Sequence, residues 1–440
     1  MLRAFAILLV IVGSVPIILV RPQFGVLMWF LVSLMNLQQY TWGFGHEVRP
    51  ALVVGLATIV AWLASREPKI PPRSATTLFL AALTFWMTVA AIFAIHPDIS
   101  TPKWEEYSKI LLMTFLTMCI VRSRDRINQV VWVVVISIGY YGVKGGIFTI
   151  LTGGHNRVWG PPGSFIEDNN ALACALIMIL PLMNYLRTNT QNRWVRYGLT
   201  VGMGLIVVSI LGSYSRGALL GLVAMLGFLG LKTRHRLATA FITLGVLGAA
   251  LLYLPHDWYE RMYSIEQYKT DDSAQGRLDA WRFNWRLALD QPLTGGGFEI
   301  GRDADLFHHY VPTARINRAA HSIYFQVLGE TGFVGLGIYL MLLLVSYRAA
   351  TTVLRRTRQR PDLAWAHSLA AMAQVSLVGY CVGGAFLSLG FYDLYYALVA
   401  IIAVTEYVVR QSEVHEAPIT SRGSTMHAQL PTTSPAPVPR

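Results

Sequence analysis

Charge is scarce in this chain of 440 residues: Asp, Glu, Lys and Arg together make up 14% of it, against roughly 25% in an ordinary soluble domain. That scarcity excludes a globule surrounded by water on all sides. Cysteine is scarcer still. Cys119, Cys174 and Cys381 each fall within an apolar run and none belongs to a C-x-x-C pair, so neither a disulfide framework nor a thiolate metal site is indicated. The loops also lack the paired acidic motif expected for magnesium or manganese, and no internal repeat is visible. What fills the chain instead is apolar: 54% of residues, with a mean hydropathy of +0.46. The net charge of +12, from 36 basic and 24 acidic residues, could suggest nucleic acid. In a chain this apolar it fits better with basic loops on the cytoplasmic side of a membrane, so no nucleic-acid partner is expected.

Runs of apolar residues predict an all-α polytopic membrane protein of about twelve transmembrane helices, at roughly 22–41, 50–65, 77–95, 106–121, 127–150, 170–187, 194–213, 216–231, 237–254, 321–346, 364–388 and 390–409. The connections at 66–73, 122–126, 187–196, 232–236 and 348–362 carry 17 Lys or Arg and only three acids, Glu67, Asp125 and Asp362. The excess of positive charge assigns these connections to the cytoplasm, which puts the alternating ones, including 255–320, on the opposite side. The expected organisation is N-terminal membrane helices over 1–254, an outer loop over 255–320, C-terminal membrane helices over 321–410 and a disordered cytoplasmic tail over 411–440. The tail holds five prolines and eight Ser or Thr, too little apolar surface to order itself. Residues 3–20 form a further apolar run, interrupted by Gly13-Ser14-Val15-Pro16. A full crossing, a broken or re-entrant hairpin with 22–41, and a cleaved signal peptide are all compatible with it. A 66-residue loop such as 255–320 is too long to be structureless and reads as a folded functional element, partly helical.

Several residues in the outer segments are suited to chemistry. Arg216 lies in the short link Gly212-Ser213-Tyr214-Ser215-Arg216-Gly217, with Ser215 placed to cap the following helix. A guanidinium beside a helix amino terminus favours a phosphate-like anion. The stretch Gly276 to Leu289 reads as an amphipathic helix ending before Pro292, with Trp281 and Trp285 on one line and Arg282 and Arg286 on another; such a helix suits the outer leaflet, near lipid phosphates. Thr294-Gly295-Gly296-Gly297-Phe298 follows as a flexible turn, without the lysine of a phosphate-binding loop. His321 opens an apolar helix directly after Arg315 and Arg318. A helix amino terminus and nearby cations disfavour its protonation, leaving a neutral imidazole able to accept a proton. Arg157 and the Glu167-Asp168-Asn169-Asn170 cap lie on the same side, and Glu330, inside the helix after His321, must face protein or water.

Ser215-Arg216-Gly217, Gly276-Arg277 with Trp281, Pro292 and Gly295-Gly296-Gly297-Phe298, then His321-Ser322 with Gly329, Gly332 and Gly335, occur in an order that resembles the O-antigen ligase and polymerase superfamily of bacterial envelope enzymes. The likeness covers roughly residues 150–350 and is strongest to the ligase branch, including O-glycosylation ligases. The resemblance implies an integral inner-membrane enzyme that transfers a glycan from undecaprenyl diphosphate, in the periplasm, to the lipid A-core. It implies no metal and no cofactor. Carried onto this chain, it makes His321 the catalytic base and Arg216 and Arg277 ligands of the diphosphate, with Arg282 as an alternative to Arg277 and Arg157 a further substrate-binding arginine. An O-antigen polymerase, a ligase acting on protein, and a transporter of lipid-linked glycans are the competing readings. The unusual charges cluster on one outer face rather than along the membrane interior, which favours an enzyme.

Overall fold

The computed structural model describes residues 2–36, 49–232, 244–245, 248, 255–256, 258 and 272–416. Among them the only regular structure is helical: α1 Leu2–Val20, α2 Pro22–Met35, α3 Pro50–Ala64, α4 Ala75–Ile92, α5 Pro97–Ile120, α6 Arg124–Leu151, α7 Asn169–Asn189, α8 Arg193–Gly212, α9 Arg216–Lys232, α10 Asp272–Asp290, α11 Ala304–Tyr310, α12 Ile323–Arg356, α13 Ala364–Gly384 and α14 Asp393–Glu416, with two short 3-10 turns. Helices α4, α6, α7, α8 and α12 are long and apolar enough to cross a membrane. With the shorter apolar helices beside them they make this a multi-pass membrane protein. Twelve spans are not reached on that criterion. Helices α2 and α3 have 14 and 15 residues, about 20 Å at 1.5 Å per residue and short of a ~30 Å hydrocarbon layer. The expected span 237–254 lies almost wholly outside the described residues, as does the tail beyond Glu416. Residues 411–416, expected in that tail, continue α14. Helix α1 runs through Gly13–Pro16 without interruption and meets α2 at Arg21.

Two helices form the centre. Helix α7 is buried over nearly its whole length between α6, α8, α9 and α13, and α14 is buried from Asp393 to Glu406 against α5, α6, α12 and α13. Lipid tails are as apolar as leucine, so such helices associate through close packing, which small residues permit. A β-carbon on Gly146 of α6 would come within 2.1 Å of the Leu205 carbonyl oxygen on α8, and Gly221 of α9 lies against the Gly383 backbone of α13.

Helix α12 is broken. Gly332 has φ 71° and ψ −175°, a combination that is almost glycine's alone, and the break frees the polar backbone groups on either side. The turn after α10 occupies the gap: the amides of Gly296 and Gly297 donate to the carbonyls of Gly329 and Glu330 at 2.8 and 3.2 Å, and the Phe333 amide donates to the Pro292 carbonyl at 2.9 Å. Segment 292–297, which includes most of the expected flexible turn Thr294–Phe298, is therefore a plug that satisfies the backbone of a split membrane helix. It also clamps the preceding helix in place, because Gly329 admits Asn284 of α10 so closely that a β-carbon there would lie 1.8 Å from its side-chain oxygen.

Candidate functional site

The amino-terminal ends of α9 and α12 face α10, and the start of α7 is tied to the link before α9. Asn169 at the start of α7 donates to the Ser213 carbonyl in the link before α9 at 2.5 Å. In that link the Ser215 hydroxyl accepts the Ala218 amide at 3.1 Å and caps α9, so Arg216 is the first helical residue. Tyr214, with φ 56°, turns its ring back and donates its hydroxyl to the Gly154 carbonyl at 2.6 Å. This leaves Arg216 facing α10. A cavity of about 280 Å³ lies between them, lined by Arg216, Gly217 and Leu220 of α9, by Arg277, Leu278 and Trp281 of α10, and by Phe386 after α13. Among the described residues its lining joins two guanidiniums from different helices with an apolar wall and holds no acid.

Helix α10 is amphipathic as its pattern requires, and only one edge of it faces the cavity. Arg277 and Trp281, one turn apart, share that edge. Trp281 is stacked on Phe325 of α12 at 5.2 Å between ring centroids and donates its indole N–H to the Ala320 carbonyl at 3.0 Å. Trp285, 47% exposed, meets Phe333 edge-on. Arg282 and Arg286 lie on the neighbouring line. Arg282 pairs with Asp279 at 3.1 Å with its side chain 56% exposed, and Arg286 donates to the Tyr310 carbonyl on α11. Neither lines the cavity. Arg157 also lies apart from it: its guanidinium sits over the Tyr214 ring at 5.8 Å, and it lines a separate recess with Lys144 and Trp159.

His321 does not open α12; the helix begins at Ile323 with Ser322 as its cap. His321 precedes the cap with φ 44°, and its amide donates to the Ser388 hydroxyl at 2.8 Å. Segment 388–390 is itself pinned: Tyr380 donates to the Leu389 carbonyl at 2.7 Å, and the Gly390 amide donates to the Gln326 side chain at 3.0 Å. His321 is thus held by a residue 67 positions away that no local sequence signal could reveal. The imidazole is half-buried. Burial pushes its pKa below the ordinary histidine value, and the Arg277 guanidinium adds to this; Asp168, the cap of α7, acts in the opposite sense, and Arg318 lowers it again. The expected direction is present: burial is its largest cause, and the expected neighbouring cations, Arg277 and Arg318, act in the same sense.

Arg318 is the residue that sequence reading underused. A β-carbon on Gly276 would come within 2.6 Å of its Nε, so the guanidinium lies across α10 one residue from Arg277. The bare glycine beside Arg277 was visible in the sequence, but what lies against it depends on the return of the loop. Arg216, Arg277, Arg318 and His321 together give this end of the bundle a positive field suited to an anionic group, with one neutral proton acceptor beside it.

Comparison with protein families agrees in position. Residues 201–340, which contain Arg216, Arg277, Arg282 and His321, match the family described as O-Antigen ligase, and residues 2–191 match a family of unknown function, DUF5935. No curated protein matches the chain. The matched segment holds both sides of the arginine-lined cavity apart from Phe386, together with the histidine beside it. Residues 201–340 thus carry an O-antigen ligase domain, and that domain supports a ligase- or polymerase-type glycosyltransferase as the class of activity.

Proposed function

We propose that the protein is an O-antigen ligase of the bacterial inner membrane, joining a polysaccharide carried on undecaprenyl diphosphate to the lipid A-core on the periplasmic side. The observation that carries this reading is the shared cavity: Arg216 and Arg277, from helices far apart in sequence, line one wall-to-wall space whose remaining surface is apolar. A lipid diphosphate has that same division, a charged head on an apolar tail. Arginine matches phosphate geometry with a planar fork of donors, so these two residues hold the diphosphate and stabilise the negative charge that grows on it as it leaves. The proposal rests the diphosphate on this pair, since Arg157 and Arg282 stand outside the cavity.

His321 acts as the general base. An acceptor hydroxyl attacks the anomeric carbon, a new glycosidic C–O bond forms, and the bond from that carbon to the phosphate oxygen breaks. The diphosphate leaves with the electron pair, and the hydroxyl proton passes to the His321 ring. A single displacement of this kind inverts the anomeric centre. It calls on no cofactor, and the arginines supply the positive charge, so transfer is expected to persist in excess chelator. The test is reconstitution of the purified chain with lipid-linked donor and lipid A-core, with identification of the product and its anomeric configuration. Product extended on the donor glycan alone would make the protein a polymerase; product on protein would make it a protein O-glycosylation ligase; retained configuration would overturn the single displacement.

A further inference from the structure

A second cavity, of about 270 Å³, is lined in part by Ala319 and Ala320, which lead into His321, and its chemistry differs from that of the arginine-lined one. Ala319 and Ala320 form one wall, and Ser388, which holds the His321 amide, forms another part. Its charges are balanced. Lys103 pairs with Glu106 at 2.9 Å and with Glu299 at 3.2 Å, and Arg302 pairs with the same Glu299, while Glu330 contributes a buried carboxyl group. Such a cavity does not select for an anion.

Its other lining groups point to a polyol. Asn284 and Gln326 present amides while being 3% and 7% exposed, and Glu330 is 6% exposed. Glu330 accepts the Glu299 amide at 3.1 Å through one carboxylate oxygen; the other meets the Gln326 side chain at 3.5 Å, a long contact that leaves room for a closer donor. Tyr107 and Phe165 add aromatic surface to the wall. Carboxylates and amides arranged around aromatic rings in a half-enclosed cavity fit a sugar ring, whose hydroxyls donate and accept while its C–H face lies on the rings. Glu299 occupies the left-handed region with φ 56°. A non-glycine residue held there requires support from its surroundings, and such strain clusters at binding sites.

We infer that this cavity is the acceptor-sugar site, binding an uncharged hexose-like ring through Glu330, Gln326 and Asn284 with one of its hydroxyls at the wall that leads into His321. The inference rests on the transferase reading above and adds to it a location for the acceptor, in a cavity separate from the one assigned to the diphosphate. It gives the buried Glu330 a task as a hydrogen-bond acceptor for a sugar hydroxyl.

Two variants test it in the full-length chain. Ala319 is exposed at the rim, so Ala319→Trp closes the cavity without touching the core. Glu330→Gln keeps an acceptor for the Glu299 amide while replacing the carboxyl group. Each is required to elute and melt like the wild type; should Glu330→Gln misfold, Ala319→Trp carries the test. With lipid-linked donor and core oligosaccharide freed of lipid A, both variants are expected to lose about tenfold in kcat/KM for the oligosaccharide, as for a lost hydrogen bond, while donor affinity stays within about twofold of wild type. Equal losses for donor and acceptor, or no loss for either, would overturn the assignment. Saturation-transfer NMR with the oligosaccharide alone separates this from the transferase reading. Contact with wild type that disappears in Ala319→Trp supports the site even if no product forms, whereas contact unchanged by Ala319→Trp, or absent from the wild type, refutes it.

Discussion

Two cavities of nearly equal volume lie at this end of the bundle, and they differ in almost every other respect. Among the described residues, one is lined by Arg216, Arg277 and apolar side chains; the other is lined by Glu299, paired with Lys103 and Arg302, together with Glu330 and two amides. Two guanidiniums on an apolar wall suit a diphosphate, while a lining of matched charges and amides suits neutral hydroxyls. The difference teaches how a single histidine can serve two substrates. In the proposed reaction it takes a proton from a nucleophile held by hydrogen bonds while an electrophile is held by charge, and burial, helped by Arg277 and Arg318, lowers its pKa in the direction that a base needs.

The largest effect is expected from His321. His321→Ala is expected to lower transfer by about 10²–10⁴-fold, the usual loss of a general base, with donor binding and folding nearly intact. Purified variant with normal thermal stability but full activity would remove His321 from the chemistry. Next come the arginines, where the structure separates two residues that the sequence left as alternatives. Arg277→Ala is expected to weaken donor binding by about 10–100-fold, as for lost charge-assisted hydrogen bonds, and Arg277→Lys to recover part of it. Arg282→Ala, which breaks only an exposed pair with Asp279, is expected to change it by about twofold or less. Comparable losses for the two variants would show that the cavity between α9 and α10 does not define the donor site.

The third prediction concerns the plug that keeps α10 in register with both cavities. Gly332→Ala forces a side chain into a conformation that costs about 1–3 kcal/mol, and its β-carbon would meet the Leu293 carbonyl oxygen at 2.2 Å. Gly337→Ala, a few residues along the same helix, meets nothing within 4 Å and is expected to be neutral or slightly stabilising, because alanine loses less backbone freedom. Thermal unfolding in one detergent, read for both variants, checks the contrast. Equal melting temperatures would mean that the break in α12 is not held by the turn at 292–297.

These contrasts also mark where sequence reading stopped. The apolar runs, the capped start of α9 at Ser215 and the amphipathic α10 were legible because each is a local pattern of residues close in the chain. The count of spans was harder to read, because helices of 14 or 15 residues such as α2 and α3 blur into longer apolar runs. Within the site, the glycines of the turn after α10 were visible but their purpose was not. A run of glycine reads as flexibility until the broken helix that it repairs is in view. Arg282 and Arg277 could not be ranked from spacing alone, since both sit on the polar half of α10; the partner Asp279 and the distant Arg216 decide which one faces the cavity. Ser388 and Arg318 act through contacts that only the return of the chain creates.

The smallest effect, and the most specific to the electrostatics of the site, is on the pH profile. The groups set against His321 are Arg277 from α10, Arg318 from its own segment and Asp168 from the cap of α7; with burial, their sum holds the imidazole below its ordinary value. As pH falls through that lowered value the ring gains a proton and can no longer accept one, so kcat/KM for the donor, which reports the free enzyme, is expected to decline at a pH below the usual histidine range of about 6.5. Removing a cation relieves part of the depression, so Arg318→Gln is expected to move the decline to higher pH. Asp168→Asn removes the one opposing charge and moves it to lower pH, and asparagine still caps the helix. Both shifts are expected to remain within about one pH unit, because neither touches the burial that comes first among the causes. Movement in the same direction for the two variants, or none in either, would show that the decline belongs to a group other than His321.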